Sequence, residues 1–115
     1  MKVIIAGSRI LHLSTEELQQ IVTASGFDVT VLCSGAARGV DQSAELWATE
    51  RNIPVERFVP DWRRFGRAAG LMRNRQMAQC AIALIAIWDG ESRGTAHMIK
   101  VARQLKLKVY VHQAR

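Results

Sequence analysis

The pentapeptide Gly-x-x-Arg-Gly occurs twice, as GAARG at residues 35–39 and GESRG at 90–94, each time one residue after an apolar run, VTVLC or IALIAIW. With 12 Arg and 8 Gly among 115 residues, composition alone would give roughly 0.06 copies. The pattern carries chemistry. Glycine lets a backbone turn sharply and approach a ligand, and the N–H groups that open a following helix point outward with partial positive charge. An arginine beside such a turn adds a forked donor matched to phosphate or carboxylate oxygens. A third loop, GSR at residues 7–9, combines the same residue types. Candidate anion-binding residues are therefore Gly7, Ser8 and Arg9, then Ser34, Gly35, Arg38 and Gly39, and finally Gly90, Ser92, Arg93 and Gly94 with Thr95. The plainer alternative is that tight turns of any strand–helix fold need these glycines and that the arginines are merely solvated.

These loops need strands and helices to aim them. Five apolar runs predict strands at 2–6, 28–33, 54–59, 82–88 and 108–112. Between the first two, STEELQQIVTASG offers Ser14 as N-cap, Glu17 as its capping-box partner and Gly26 as a stop. Further helices are predicted at about 40–51, with Ala44, Trp47 and Ala48 inward, at about 68–80, and at about 95–105, with Met98, Val101, Ala102 and Leu105 inward. Runs such as IALIAI imply burial on both faces. In an alternating β/α chain that means a parallel sheet between two helical layers. The expected fold is an α/β, Rossmann-like three-layer sandwich with a five-stranded parallel sheet, one domain over residues 1–115, and ligands bound beyond the carboxyl ends of the strands.

Bulk properties narrow the classes. Apolar residues make up 49% and charged residues 23%, and no segment approaches the roughly 20 unbroken apolar residues of a membrane span. MKVIIAGSRI reads as a first strand rather than an export signal, because its apolar run is short and no small-residue cleavage site follows. A cytoplasmic location is expected, with Cys33 and Cys80 reduced and packed as small core residues. The two cysteines and three histidines lack zinc-site spacing, and neither a metal nor a cofactor is expected. The formal charge of +6 is uneven: six arginines fall between residues 57 and 75 against the single acid Asp61. That is an anion-attracting surface or a solvated basic face.

GSR after the first strand, SGAARGVDQSAELWA, PDW, AAGLMRNRQMA and WDGESRGTAHMI, in this order, resemble the YspA-like (YpsA-related) branch of the SLOG superfamily, which also contains the LOG phosphoribohydrolases and the DprA/Smf proteins. The resemblance covers nearly the whole chain. It implies a Rossmann-like domain that binds nucleotides or nucleotide-derived small molecules, and self-association, since such relatives commonly assemble. The Ala- and Met-rich helix carrying Ala68, Ala69, Met72, Met77 and Ala78 is the expected contact of a dimer.

The catalytic relatives supply a test. LOG enzymes carry an Arg-Lys pair four residues before a Met, then a Pro-Gly-Gly-x-Gly-Thr-x-x-Glu loop whose glutamate serves cleavage of the base–ribose bond. Arg73 matches that arginine, but Asn74 replaces the lysine; Gly94 and Thr95 match Gly-Thr, but Met98 stands at the glutamate position. Ile82 replaces a further acid expected before the fourth strand. Glycosidic cleavage needs a carboxylate to stabilise an oxocarbenium-like state. Asp41, Glu45, Asp89 or Glu91 could stand in, with His97 as acid or base. The candidate catalytic set is Arg73, His97 and Asp89, within a ligand set that adds Asp41, Trp62 and Asn74. Asp41 could hold ribose hydroxyls, pair with Arg38 or complement a helix dipole. Trp62 could stack on a base, and Trp88 could serve core or site. Binding of a nucleotide-derived ligand leads. A LOG-type phosphoribohydrolase is the second reading. Single-stranded DNA binding ranks last, because 6% aromatic content supplies few stacking platforms.

Overall fold

A computed structural model describes residues 1–114. The chain runs β1 (Lys2–Gly7), α1 (Thr15–Ser25), β2 (Val31–Ser34), α2 (Val40–Glu50), β3 (Val55–Arg57), α3 (Trp62–Phe65), α4 (Ala68–Cys80), β4 (Ala83–Trp88), α5 (Arg93–Gln104) and β5 (Lys108–Gln113). The sheet has the order β3-β2-β1-β4-β5 with every pair parallel. Chain order thus reverses between β1 and β4, whose registered pairs run from Val3–Ala83 to Gly7–Ile87. This is the doubly wound topology expected from the sequence, and its switch point lies beyond Gly7 and Trp88.

Side-chain alternation divides the core into two layers. Val3, Ile5, Ile85 and Ile87 face α1 and α2, where Leu18, Ile21, Val22, Ala44 and Trp47 meet them. Ile4, Leu84 and Ala86 face α4 and α5, against Met77, Ala78, Met98 and Val101. The central strands are buried on both sides, as their continuous apolar runs require. Helix α1 has the expected ends: Ser14 Oγ accepts from Glu17 N at 3.1 Å, Glu17 Oε1 accepts from Ser14 N at 3.1 Å, and Gly26 closes the helix at φ 76°. Such a cap is worth about 1 kcal/mol.

Some expectations shift. Strand β2 begins at Val31 rather than Asp28, and β3 shrinks to three residues on the sheet edge. Helix α5 starts at Arg93, two residues early, and Leu105 at its end is exposed rather than inward. The short helix α3 has no counterpart among the predicted elements; Asp61 caps it by accepting from Arg64 N at 3.1 Å, and none of its residues is buried. Cys33 is buried as expected, and burial pushes its thiol up to about 11, but Cys80 is exposed at the end of α4. Both are free. Of the α4 residues expected at a subunit contact, Ala69, Met77 and Ala78 lie in the core, leaving Ala68 and Met72 outward beside exposed Leu71. No helix among the described residues is long and apolar enough to cross a membrane.

Candidate ligand-binding cleft

Beyond the carboxyl ends of β1 and β4 lies a cleft of about 380 Å³, lined by the Gly7–Ile10 loop, Asp41, Arg73, Asn74, Asp89, Glu91 and the first turn of α5, with Met77 and Met98 among its lining. It adjoins a second compartment of about 570 Å³ lined by Gly35–Arg38, Val59, Pro60 and Trp62. Arg9, Ile10, Ala37 and Arg73 line both.

Arg73 stands at the junction. It is 9% exposed, its Nη1 donates to the Gly35 carbonyl and its Nε to Asn74 Oδ1 at 3.0 Å. Burial draws its pKa down, opposed by the charge of Asp41. Gly35 is glycine for this reason: a Cβ there would lie 2.6 Å from Arg73 Nη1 and 3.0 Å from Asp41 Oδ2. Asn74 in turn donates to the Gly94 carbonyl at 3.3 Å and lies 3.1 Å from His97 Nδ1, tying α4 to α5. An arginine held from two sides is presented to the cleft with little rotamer freedom left to lose on binding.

The two Gly-x-x-Arg-Gly copies do not share a geometry. In the first, Gly39 precedes α2 at φ 72° and ψ −122°, a conformation that L side chains avoid. The backbone of Ser8 and Arg9 packs directly on it, and Val40 N donates to Ser8 O at 3.1 Å, so the head of α2 is covered. In the second, Ser92 is the N-cap, Arg93 begins α5, and Gly94 is already helical with open space where a Cβ would be. At α5 the Ser92 side chain caps by accepting from Thr95 N at 3.4 Å and the free space lies beside Gly94, whereas α2 has no side-chain cap. Arg38 lines the second compartment, whereas Arg93, also exposed, lines neither.

The remaining candidates sort by what they touch. Gly7 is set by close packing, since a Cβ would come within 2.7 Å of Val40 Cγ2. Ser34 is buried and donates to Glu45 Oε2 at 2.5 Å, and Glu45 also holds Arg57 Nε at 3.3 Å. Ser8 is buried, accepts from Ile10 N at 3.3 Å and lines the first compartment. Asp89 Oδ1 accepts from Ser92 N and Glu91 N, both at 2.8 Å; these bonds, Ser92 first, hold its carboxyl below the usual range. Gly90 turns this loop at φ 84°. Ser92 Oγ lies 3.0 Å from Thr95 Oγ1, and Thr95 reaches the cleft. Trp88 Nε1 donates to Ser92 O at 3.1 Å. His97 sits behind Asn74 in a groove lined by α4 residues, outside both compartments. Burial, then Arg75 and Lys100, lower its pKa and favour the neutral imidazole.

Two features gain weight from the structure. Asp41 is 5% exposed and accepts from Ala37 N at 3.1 Å; burial pushes its carboxyl up to about 6, against the pull of that N–H, Arg73 and Arg9. It is the buried carboxylate of the cleft. Trp62, 47% exposed, lies under the Arg9 guanidinium at 5.9 Å from ring centroid to Cζ and walls the second compartment. The PDW motif carried the only sequence signal for it. Met98, 1% exposed, supplies a thioether where a LOG enzyme has its glutamate. Ile82 lies at the opposite end of β4, so its identity does not bear on the cleft. Among the described residues no group of three or more His, Cys, Asp or Glu is placed to hold a metal ion.

Strand order, two-sided helical cover and a cleft at the switch point define a Rossmann-like α/β domain whose cleft lies where such sheets bind their ligands. Residues 1–65 match the model of the YspA, cpYpsA-related SLOG family, and the chain belongs to that family. The Gene 61 protein of Mycobacterium phage D29 is 31% identical over 117 residues, covering 94% of this chain and 93% of the relative. Among solved structures, DNA processing protein A (DprA) from Streptococcus pneumoniae superposes with a TM-score of 0.78 over 99% of this chain at 16% identity. The chain spans 50% of that protein, and the likeness is one of fold.

Proposed function

We propose that the cleft binds a phosphate-bearing nucleotide or nucleotide derivative, and that it does so without efficient cleavage. The observation that carries this reading is the fixed Arg73 guanidinium, held by Gly35 and Asn74, in a cleft that also receives the first turn of α5 at Gly94 and Thr95. A helix N-terminus and a preordered arginine converging on one concave site favour a phosphoryl group. Cleavage is disfavoured by the positions of the other groups. Met98 replaces the glutamate of the LOG pattern, Asp89 is engaged with its own loop, and His97 lies outside the cleft. Ground-state binding can persist where transition-state stabilisation is lost.

A phosphoribohydrolase is the second reading, favoured by one observation. Asp41 is a cleft carboxylate whose pKa is raised toward neutrality, as a general acid would require. Single-stranded DNA is a weaker candidate, because Trp62 and Phe65 are the aromatic side chains exposed on α3. A reducing cytoplasm suits the two free thiols.

The test incubates purified protein with AMP, other nucleoside monophosphates, NAD and ADP-ribose. Native mass spectrometry reads binding, and chromatography reads release of free base. The expected result is retained ligand without turnover. Base release at enzymatic rates that disappears in Arg73→Ala would overturn the binding-only reading, and absence of any nucleotide complex would overturn the proposal.

A further inference from the structure

Resting on that reading for its ligand alone, we infer that His97 is a positioning residue of the cleft: through Asn74 it holds the Arg73 guanidinium while the imidazole is neutral, and acid releases that hold. His97 lies outside both compartments, so the control acts from behind the site.

Two contacts whose roles are fixed by chemistry decide which way the Asn74 amide points. The Arg73 Nε–H can only donate, so the atom 3.0 Å from it is Oδ1. The Gly94 carbonyl can only accept, so the atom 3.3 Å from it is the amide nitrogen. The second hydrogen of that nitrogen meets His97 Nδ1 at 3.1 Å. Nδ1 is therefore an unprotonated acceptor, and the ring proton sits on Nε2. Asn74 is buried, so a bond lost here is not replaced from bulk water.

Protonation puts a hydrogen on Nδ1, where it faces another donor. The amide satisfies the imidazolium by turning over, which brings Oδ1 to His97 and sets Nδ2 against the Arg73 Nε–H. Arg73 then keeps its bond to the Gly35 carbonyl alone, and a guanidinium held at one end regains freedom that binding must remove. The surroundings set where this happens. The groove around the imidazole is lined by Ala68, Leu71, Met72, Arg75, Gln76 and Gln79, with no carboxylate. Burial opposes the imidazolium most, followed by Arg75 from α4 and Lys100 from α5. Among the described residues, strands β1, β4 and β5, on which α5 also packs, add no charge that bears on the ring. The midpoint therefore lies below the ordinary 6.5. Asp41, which titrates at about 6 and whose charge bears on Arg73, is the competing cause of an acid response.

The experiment titrates the ligand-free protein by NMR, following the His97 ring and the Arg73 Nε–H signal. Both should move with one midpoint, and Arg75→Gln should raise it in both together. His97→Gln keeps an acceptor that does not ionise, so the Arg73 signal should lose that step. An Arg73 step that survives His97→Gln at full size, or that vanishes in Asp41→Asn, would belong to Asp41 and overturn the inference. AMP affinity is then read by calorimetry as the ratio of wild type to His97→Gln, which cancels the ionisation of the phosphate itself. That ratio should fall by about 5- to 150-fold across the midpoint, the usual range of coupling between two sites. A constant ratio would overturn control of binding by His97. Failure of AMP to bind at any pH would overturn the nucleotide reading instead, with the relay still decided by the Arg73 signal.

Discussion

Asp41→Asn should stabilise the protein at neutral pH and leave it unchanged in acid. The Asp41 carboxyl is carried from an ordinary 3.8 to about 6, mainly by burial. At ~1.36 kcal/mol per pKa unit this corresponds to about 3 kcal/mol. The sign follows from which state holds the proton more tightly. Folding raises the pKa, so the favourable contribution is complete below the unfolded value near 3.8 and is lost as pH rises through about 6. Above that, the folded chain contains an ionised carboxylate that the unfolded chain keeps in water. Asparagine keeps an oxygen for the Ala37 N–H and removes the charge. For a chain of this size about 3 kcal/mol is roughly 10 °C in Tm. Thermal melts of both proteins from pH 4 to pH 8 should converge at the acid end and separate by roughly that amount at the other. The same substitution should weaken a ligand whose hydroxyls Asp41 accepts, so stability and affinity should move in opposite directions. Parallel melting curves across the whole range would refute the reasoning, because Asp41 would then have an ordinary pKa and a hydrated side chain.

Gly94→Ala should raise stability by about 0.5 kcal/mol, since Gly94 is helical with nothing within 4 Å of the place its Cβ would take, yet reduce nucleotide affinity by about tenfold by filling the space beside the first turn of α5; melts and calorimetry check both signs. Arg38→Ala should weaken binding by about 10- to 150-fold, the range of a charge-assisted hydrogen bond, while Arg93→Ala should stay within about twofold, because only Arg38 lines a compartment. The protein should self-associate through the outward face carrying Leu71 and Met72, with Trp62 and Phe65 exposed on neighbouring α3. Light scattering should give a mass that falls on dilution and in Leu71→Glu; a concentration-independent monomer mass would count against it.

What could be read from the sequence follows from the range of the interactions involved. The continuous apolar run of β4 and the Ser14–Glu17 box of α1 announce themselves because burial on both faces and capping leave local traces. Strand β3 pairs with β2 alone and exposes Glu56 and Arg57, so no alternation marks its ends. Helix α3 has four residues and buries none, which leaves only the cap at Asp61 to find it by. The three glycine-bearing loops do meet at one edge, as the order of strands and helices required.

The repeated pentapeptide marks the point at which pattern ceases to specify geometry. Its glycines and arginine are equally spaced in both copies, but α2 begins after the final glycine and α5 begins before it. Two residues of helical offset turn the chain by about half a revolution, enough to bring Arg38 to the second compartment and leave Arg93 outside. The cause lies far from either pentapeptide in sequence. Backbone from Ser8 and Arg9 presses on Gly39 and takes up the Val40 N–H, whereas no such neighbour approaches Gly94. Arg73 depends on tertiary partners in the same way, since Gly35 and Asn74 hold it only once β2 and α4 have packed on the sheet. The pentapeptide identifies loops with backbone freedom; the contact that packs Ser8 and Arg9 on Gly39 and leaves space beside Gly94 gives the two copies their different geometries.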